Sequence, residues 1–303
     1  MTREVTEVRF CGLRDFDARQ TFECGQSFRW TREANGSYTA VVQGCFANAF
    51  YNNEEDTLTV WSDYMPKSEA LREKFWRDYF DIDRDYAHIK RTLADGDPVM
   101  EEAIFHAGGI RILHQEPWET LVSFLISQNN NIPRIRGCIE ALCEAFGDEV
   151  GTFSGRKLYA FPTVASLARR REEEIDVCKI GYRARYLAEL SRQVNIDGGA
   201  FLATGETADT DKIADYLLTL SGVGPKVAHC VLLFAMRKFE RFPIDVWVRR
   251  AMHQLYGLYE EDEDGMHAFA RERFGDLAGF AQMYLFHYMR VREAFTAHEN
   301  VIE

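Results

Sequence analysis

No Cys-x-x-Cys pair occurs among the seven cysteines of this chain, and their number is odd. Both facts argue against a disulfide framework and a zinc ribbon, and reduced thiols fit best. No cysteine follows Cys230, which excludes a C-terminal four-cysteine iron–sulfur loop. The eight histidines show no His-Glu-x-x-His or comparable spacing, so no metal site is expected. Long apolar runs are missing too: none reaches the roughly 20 residues of a membrane span. Residues 1–7 are too charged for a secretory signal. A cytoplasmic protein with no membrane partner is expected. Excess positive charge is also absent. The net charge is −12, which by itself lends no support to nucleic-acid binding.

A hydrophobic fraction of 46%, with 22 Phe and five Trp, is ample for a packed core in a chain of 303 residues. That length suggests two domains, and the pattern along the chain divides them at 112. Residues 1–112 open as antiparallel strands and end in helices. Positions 26–31 alternate, Ala34-Asn35-Gly36-Ser37 supplies hairpin chemistry, and Tyr38–Val42, 47–51 and 57–61 follow, with 52–56 as a second turn. From Ser68 onward helical periodicity dominates, with helices expected near 68–79, 84–94, 98–106, 117–127, 132–146, 163–169, 183–193, 209–219, 225–238, 245–256, 264–273 and 276–295. Pro98, Pro117, Pro133, Pro162 and Pro225 stand at or near helix starts, where the missing N–H is no loss. The expected fold class is α+β: a small β-rich amino-terminal domain and, over 113–303, a helical body containing a helix-hairpin-helix.

The most informative stretch is Leu220-Ser221-Gly222-Val223-Gly224-Pro225-Lys226-Val227-Ala228, with Asp245 nineteen residues beyond the lysine. A Gly-x-Gly turn directly before a helix brings backbone N–H groups close to a phosphate, since no Cβ at Gly222 or Gly224 stands in the way. Lys226 then falls in the first helical turn, an amine nucleophile at the edge of a phosphate clamp. A helix over 226–238 is roughly 20 Å long, and an extended 239–244 spans at most about the same distance. The chain can therefore fold back and set Asp245, the N-cap of the next helix, beside Lys226. Two readings follow. A helix-hairpin-helix without catalysis grips DNA phosphates irrespective of sequence and uses the lysine only as a contact. A catalytic one uses the Lys226–Asp245 pair. From Ser221 to Arg250 six cationic side chains stand against two anionic ones, whereas acid gathers at 172–174 and 260–264. A locally basic face on an acidic body is expected.

With Pro243-Ile244-Asp245 as its closing element, this string resembles the helix-hairpin-helix-Gly/Pro-Asp superfamily of DNA glycosylases. Further segments, spread over roughly residues 10–290, resemble the 8-oxoguanine DNA glycosylase family within it. They are Cys24-Gly25-Gln26-Ser27-Phe28-Arg29-Trp30, Gly109-Ile110-Arg111-Ile112-Leu113, the stretch 124–135 with its Asn129-Asn130-Asn131 corner, Gly181-Tyr182-Arg183-Ala184-Arg185-Tyr186, and the stretch 279–286.

The resemblance implies a base-excision-repair glycosylase with lyase activity acting on 8-oxoguanine-type oxidised purines. Lys226 attacks C1′, expels the damaged base and forms a Schiff base, from which β-elimination cuts the strand. Asp245 stabilises positive charge developing on the sugar. An enzyme of this kind must take its base out of the stack. The resemblance assigns Asn129 to the space the base leaves, Tyr182 to the wedge, and Arg134 and Arg183 to the opposite cytosine. It assigns Gly25, through its backbone C=O, to the N7–H that distinguishes 8-oxoguanine from guanine. It assigns Phe286, Gln282 and Cys230 to the purine pocket. Spacing alone puts Gln282 and Phe286 on one helical face, and Cys230 on the face of Lys226. As residues only, Tyr182 and Arg183 are equally explained by a helix start, Phe286 by a core stripe, Cys230 by a small buried side chain, and Cys24-Gly25 by a turn. The family often carries a histidine two residues beyond the aspartate. This chain has Trp247 there, either a DNA contact through its indole N–H or a packing residue.

The resemblance implies no organic cofactor, iron–sulfur cluster or zinc, only a monovalent cation on the hairpin carbonyls. The expected partner is damaged double-stranded DNA, met by a monomer. A monofunctional alkylpurine glycosylase on the same fold is the alternative enzyme, disfavoured because that class lacks a lysine at the Lys226 position. A non-catalytic helix-hairpin-helix DNA-binding protein is the alternative from another class.

Overall fold

In the computed structural model, which describes residues 4–64, 66 and 68–299, the amino-terminal strands form one antiparallel sheet. Its members are β1 (Thr6–Phe10), β2 (Thr31–Arg32), β3 (Tyr38–Val42), β4 (Cys45–Asn52) and β5 (Thr57–Ser62), in the order β1-β5-β4-β3-β2. The expected turn at 34–37 closes with the Glu33 N–H donating to Ser37 O at 2.8 Å. Between β3 and β4, Gln43 and Gly44 both take positive φ, the geometry a two-residue hairpin needs to match strand twist. Helix α1 (Ala18–Glu23) lies between β1 and β2 in the chain, and α2 (Glu69–Tyr79) follows β5. They complete a core that includes Phe22, Trp30, Tyr38, Leu58, Trp76 and Phe80. Neither β1 nor α1 is legible from the sequence pattern, each being only five or six residues long.

The strand expected at 26–31 does not form; only Thr31 and Arg32 pair, with β3. The alternation there has another cause. Phe28 is buried in the helical core and Trp30 in the sheet core, so the segment threads between two apolar interiors. The Gln26 amide replaces a neighbouring strand as hydrogen-bond partner. Its Nε2 donates to Thr21 O at 2.9 Å and Arg111 O at 2.8 Å, and its Oε1 accepts the Leu113 N–H at 2.9 Å. Buried backbone groups are thereby satisfied without a ladder.

The helical body runs through α3 (Tyr86–Ala94), α4 (Pro98–Ala107), α5 (Pro117–Ser127) and α6 (Ile132–Phe146) to a small hairpin, β6 (Glu149–Phe153) and β7 (Arg156–Tyr159). It continues through α7 (Val164–Ala168), α8 (Glu172–Asp176), α9 (Arg183–Ile196), α10 (Ala200–Thr204), α11 (Thr210–Thr219), α12 (Pro225–Met236), α13 (Val246–Tyr256), α14 (Glu263–Phe274) and α15 (Ala278–Glu299). The β6–β7 hairpin, α8 and α10 are too short to show a periodicity. Asp97, Glu116, Asn131, Asp209 and Asp245 cap α4, α5, α6, α11 and α13 by accepting first-turn N–H groups.

Two helices organise the site. Between Trp118 and Ile126 only Glu119 of α5 escapes full burial, and from Cys230 to Met236 α12 is buried throughout. They run antiparallel. At one end the Gln115 N–H donates to Phe234 O at 2.9 Å; at the other, Lys226 meets Ser127. Between them Phe124 and Phe234 stack with centroids 5.4 Å apart. Each large apolar side chain buried here contributes about 1.5–3 kcal/mol, so the helix ends that carry the polar residues are anchored in a well-packed interior. Among the described residues no helix is long and apolar enough to cross a membrane.

Candidate active site

A cleft of about 920 Å³ opens where the C-terminus of α5 faces the N-terminus of α12. It is lined by residues far apart in the chain, among them Gly25, Asn129, Tyr182, Lys226, Cys230, Asp245, Gln282 and Phe286. Of the residues singled out from the sequence, these eight converge; Arg134, Arg183, Gly222 and Gly224 lie outside the lining.

Lys226 is the second residue of α12, after Gly224 as N-cap and Pro225 as first helical residue. Its Nζ donates to Ser127 Oγ at 3.0 Å and lies 5.0 Å from the Phe124 ring centroid. Asp245 caps α13, its Oδ1 accepting the N–H groups of Trp247 at 3.0 Å and Val248 at 2.9 Å. Among the described residues no ion pair joins Lys226 to Asp245, but their charges act on each other. Burial pushes the Asp245 carboxyl above the usual carboxylate range, opposed by the Val248 N–H, the Lys226 ammonium, the Trp247 N–H and the Arg290 guanidinium. Cys230, one turn beyond Lys226, is buried and its thiol is pushed up to about 11, first by desolvation. It is therefore a neutral, polarisable wall rather than a thiolate nucleophile.

Gln282 and Phe286 of α15 both line the cleft. Gln282 is buried with its Oε1 unpartnered among the described residues, an acceptor awaiting a donor. Phe286 follows one turn later, and a Cβ placed on Gly25 would lie 3.7 Å from two atoms of its ring and 3.1 Å from Ile132 Cδ1. With φ at +97°, Gly25 holds a conformation that other residues rarely adopt.

The asparagine corner separates its three members. Asn130 Nδ2 donates to Ile126 O at 3.1 Å, and Asn131 Oδ1 accepts the Arg134 N–H at 3.1 Å as cap of α6. The side chain of Asn129 forms no hydrogen bond among the described residues, and its backbone is left-handed at φ +46°. Tyr182 is 57% exposed as the N-cap of α9 and stands on the rim of the cleft.

Arg183 departs from the expectation of a donor free to meet a base. It is buried; Nε donates to Gln128 O at 2.8 Å, Nη1 to Ile180 O at 3.1 Å, and Nη2 to Asn129 O at 2.9 Å and also to Gln128 O. Its guanidinium braces the corner on which Asn129 stands. Gln128 Nε2 extends the brace to Gly222 O at 2.9 Å, linking corner and hairpin. Arg134 is exposed on the first turn of α6. At Gly222, φ is +76° and a Cβ would come within 2.7 Å of Tyr186 Cβ, whereas at Gly224 nothing lies within 4 Å. The space over Gly224 is open to an incoming group.

The locally basic face is not what the sequence suggested. Arg237 donates to Asp78 O, Lys238 to the carbonyls of Glu206 and Ala208, and Arg241 pairs with Asp211. Arg249 pairs with Glu263 and Arg250 with Glu293. Of the six cations only Lys226 lines the cleft. Trp247 also lines it, with the Arg250 guanidinium 5.3 Å from its ring centroid. Sequence reasoning missed Ser127 and Arg290. Ser127 carried a signal only as part of a longer matching string, and Arg290 carried none beyond its helical spacing from Phe286. Among the described residues no cluster of three His, Cys, Asp or Glu side chains could hold a metal ion.

Two family models cover most of the chain: the 8-oxoguanine DNA glycosylase N-terminal domain over residues 10–121 and the HhH-GPD superfamily base excision DNA repair protein over 122–275. A probable N-glycosylase/DNA lyase of Methanothermobacter thermautotrophicus is 31% identical over 91% of this chain and 94% of its own length. A solved structure of MBOgg1 in complex with a low-affinity DNA ligand is 40% identical, covering 97% of this chain and 100% of that one at a TM-score of 0.87. The 8-oxoguanine glycosylase/lyase of Clostridium acetobutylicum, in complex with double-stranded DNA containing cytosine opposite 8-oxoG, is 34% identical over 96% of this chain and 98% of its own, also at 0.87.

Proposed function

The chain belongs to the 8-oxoguanine DNA glycosylase family of the HhH-GPD superfamily, and from that membership we propose how its cleft works. The protein is a bifunctional base-excision-repair glycosylase and AP lyase that removes 8-oxoguanine from DNA. The observation that carries the assignment of residues is the meeting of Lys226 and Asp245 in one cleft, from the N-terminal ends of α12 and α13.

In its neutral form Lys226 Nζ attacks C1′ of the flipped nucleotide. The C1′–N9 bond breaks, the base leaves with the bonding electrons and takes up a proton, and Nζ loses one of its own; the C1′–O4′ bond then breaks, O4′ takes up a proton, and the nitrogen lone pair closes the protonated imine. Loss of a C2′ proton then expels the 3′ phosphate, and water releases the enzyme. Ser127 Oγ aims the amine. Asp245 stabilises the cationic sugar during departure, its own charge favoured by the cap N–H groups. Gln282 and Phe286 receive the purine, with Cys230 as a further wall, and the Gly25 carbonyl takes the N7–H. Tyr182 wedges the stack and Asn129 fills the vacated space, while the N–H groups of Gly222 and Gly224, for which no protein acceptor stands among the described residues, meet phosphate. Arg134 reads the opposite base, and Arg183 acts by holding the Asn129 corner. Damaged duplex DNA is bound by a monomer.

We also propose a monovalent cation at the hairpin. Its turn offers neutral carbonyl oxygens, and among the described residues Leu220 O and Gly222 O each accept a single hydrogen bond, from the Val223 N–H and Gln128 Nε2, which leaves a lone pair on each. No step of the chemistry runs through it.

Borohydride trapping on 8-oxoguanine duplex tests the reading. Wild-type protein is expected to become covalently linked. Lys226→Gln is expected to lose base release and trapping while still binding the duplex, because the hairpin backbone is unchanged. Trapping retained in that variant overturns the assignment.

A further inference from the structure

Arg290 has no part in the chemistry above. It stands on α15 four residues beyond Phe286 and eight beyond Gln282, hence on the same face, and it lines the cleft. Its Nη1 donates to Cys24 O at 3.0 Å, and its guanidinium carbon lies 5.3 Å from the Phe286 ring centroid. The Cys24 carbonyl belongs to the peptide that leads into Gly25. Glycine at φ +97° has few steric limits of its own, so the direction of the Gly25 C=O is set by what anchors its neighbours. On the far side Gln26 is fixed by its bonds to Thr21, Arg111 and Leu113. On the near side Arg290 is, among the described residues, the donor that reaches the Cys24 carbonyl. No protein donor reaches the Gly25 carbonyl itself among those residues.

We propose that Arg290 is a positioning residue that sets lesion specificity. By tying the Cys24–Gly25 peptide to the Phe286 face it fixes the Gly25 carbonyl where an N7–H donor bonds and an N7 acceptor is repelled. A loose carbonyl would turn away from the base, and the discrimination that a preset hydrogen bond provides would be lost. The inference rests on the functional reading above, in which Gly25 meets N7.

The test compares wild type, Arg290→Met and Arg290→Lys in two single-turnover assays: release of 8-oxoguanine opposite cytosine, and cleavage of the same duplex with an abasic site, which puts no base in the pocket. Met keeps an apolar stem over Phe286 but removes the donor; Lys restores one. The ratio of release to cleavage is expected to fall about tenfold or more in Arg290→Met, the order a charge-assisted hydrogen bond supplies. In Arg290→Lys it is expected to recover most of that loss. An active wild type with an unchanged ratio in Arg290→Met overturns this inference alone. Equal loss of both activities in both variants reduces Arg290 to a folding role and overturns it as well. A wild type that cleaves abasic duplex but leaves 8-oxoguanine in place overturns the functional reading, and this inference with it.

Discussion

The Asp245 carboxylate faces opposed demands. Its Oδ1 accepts two first-turn N–H groups, which favour the anion, while burial pushes its pKa up and outweighs them. The folded protein therefore holds a proton on Asp245 more tightly than the unfolded chain. The associated stability is present at low pH and is lost as pH rises from the unfolded value, about 3.9, through the raised folded one. In the proposed mechanism activity runs the other way, since the anion is the form that stabilises the cationic sugar. Base release is expected to show an acid limb with its midpoint above about 4. Asp245→Asn should abolish that limb, slow release by at least about a hundredfold and, because Asn also caps well, leave thermal stability at neutral pH equal to or above wild type. A pH–rate profile and a melting curve of the two proteins check all three. The two arginines make a second residue-scale contrast. Arg134→Ala should flatten the order of single-turnover rates opposite C, A, G and T, a loss of about 1–3 kcal/mol of discrimination. Arg183→Ala should instead slow excision opposite every base alike, because it releases the Asn129 corner from its carbonyl ties.

The helix-hairpin-helix acts as an element through two glycines with different physical reasons. Gly222 is required by the protein itself: its left-handed backbone and the Tyr186 side chain leave no place for a methyl group. Gly222→Ala is expected to cost at least about 1–3 kcal/mol of folding stability in backbone strain, visible as a lower urea midpoint. Gly224 has ordinary backbone angles and empty space beyond it. Gly224→Ala should leave the urea midpoint within about 0.5 kcal/mol of wild type yet weaken duplex binding, since the added Cβ stands where a phosphate must approach the N–H groups. The same element explains why α5 and α12 are so apolar. Their buried lengths keep Ser127 and Lys226 in register, and a slip of either would misaim the amine.

At the scale of the whole molecule, a body of net charge −12 binds DNA without the basic face that the stretch from Ser221 to Arg250 suggests. Arg237, Lys238, Arg241, Arg249 and Arg250 hold other parts of the protein together, so the cluster that reads as a basic face is largely an internal scaffold. Sequence could not separate these roles, because a cation's partner is decided by elements brought near it in space, as Glu293 on α15 is brought to Arg250 on α13. The same limit explains the strand that failed at 26–31: a period-two sequence reads as a half-buried strand, whereas this segment is buried at every residue from Gln26 to Trp30 because it threads between two cores. What the sequence by itself determined were the features with local causes. The long helices follow from their apolar period and capping residues, the hairpin from Gly222 and Gly224, and the Asp245 cap from its place after Pro243-Ile244. Tertiary structure alone decided which side chains of this chain meet. It turned Arg183 inward onto Gln128 and Asn129, set Ser127 against Lys226 and tied Arg290 to Cys24. Each of these joins residues distant in the chain, and a contact of that kind leaves no periodicity in the sequence to read.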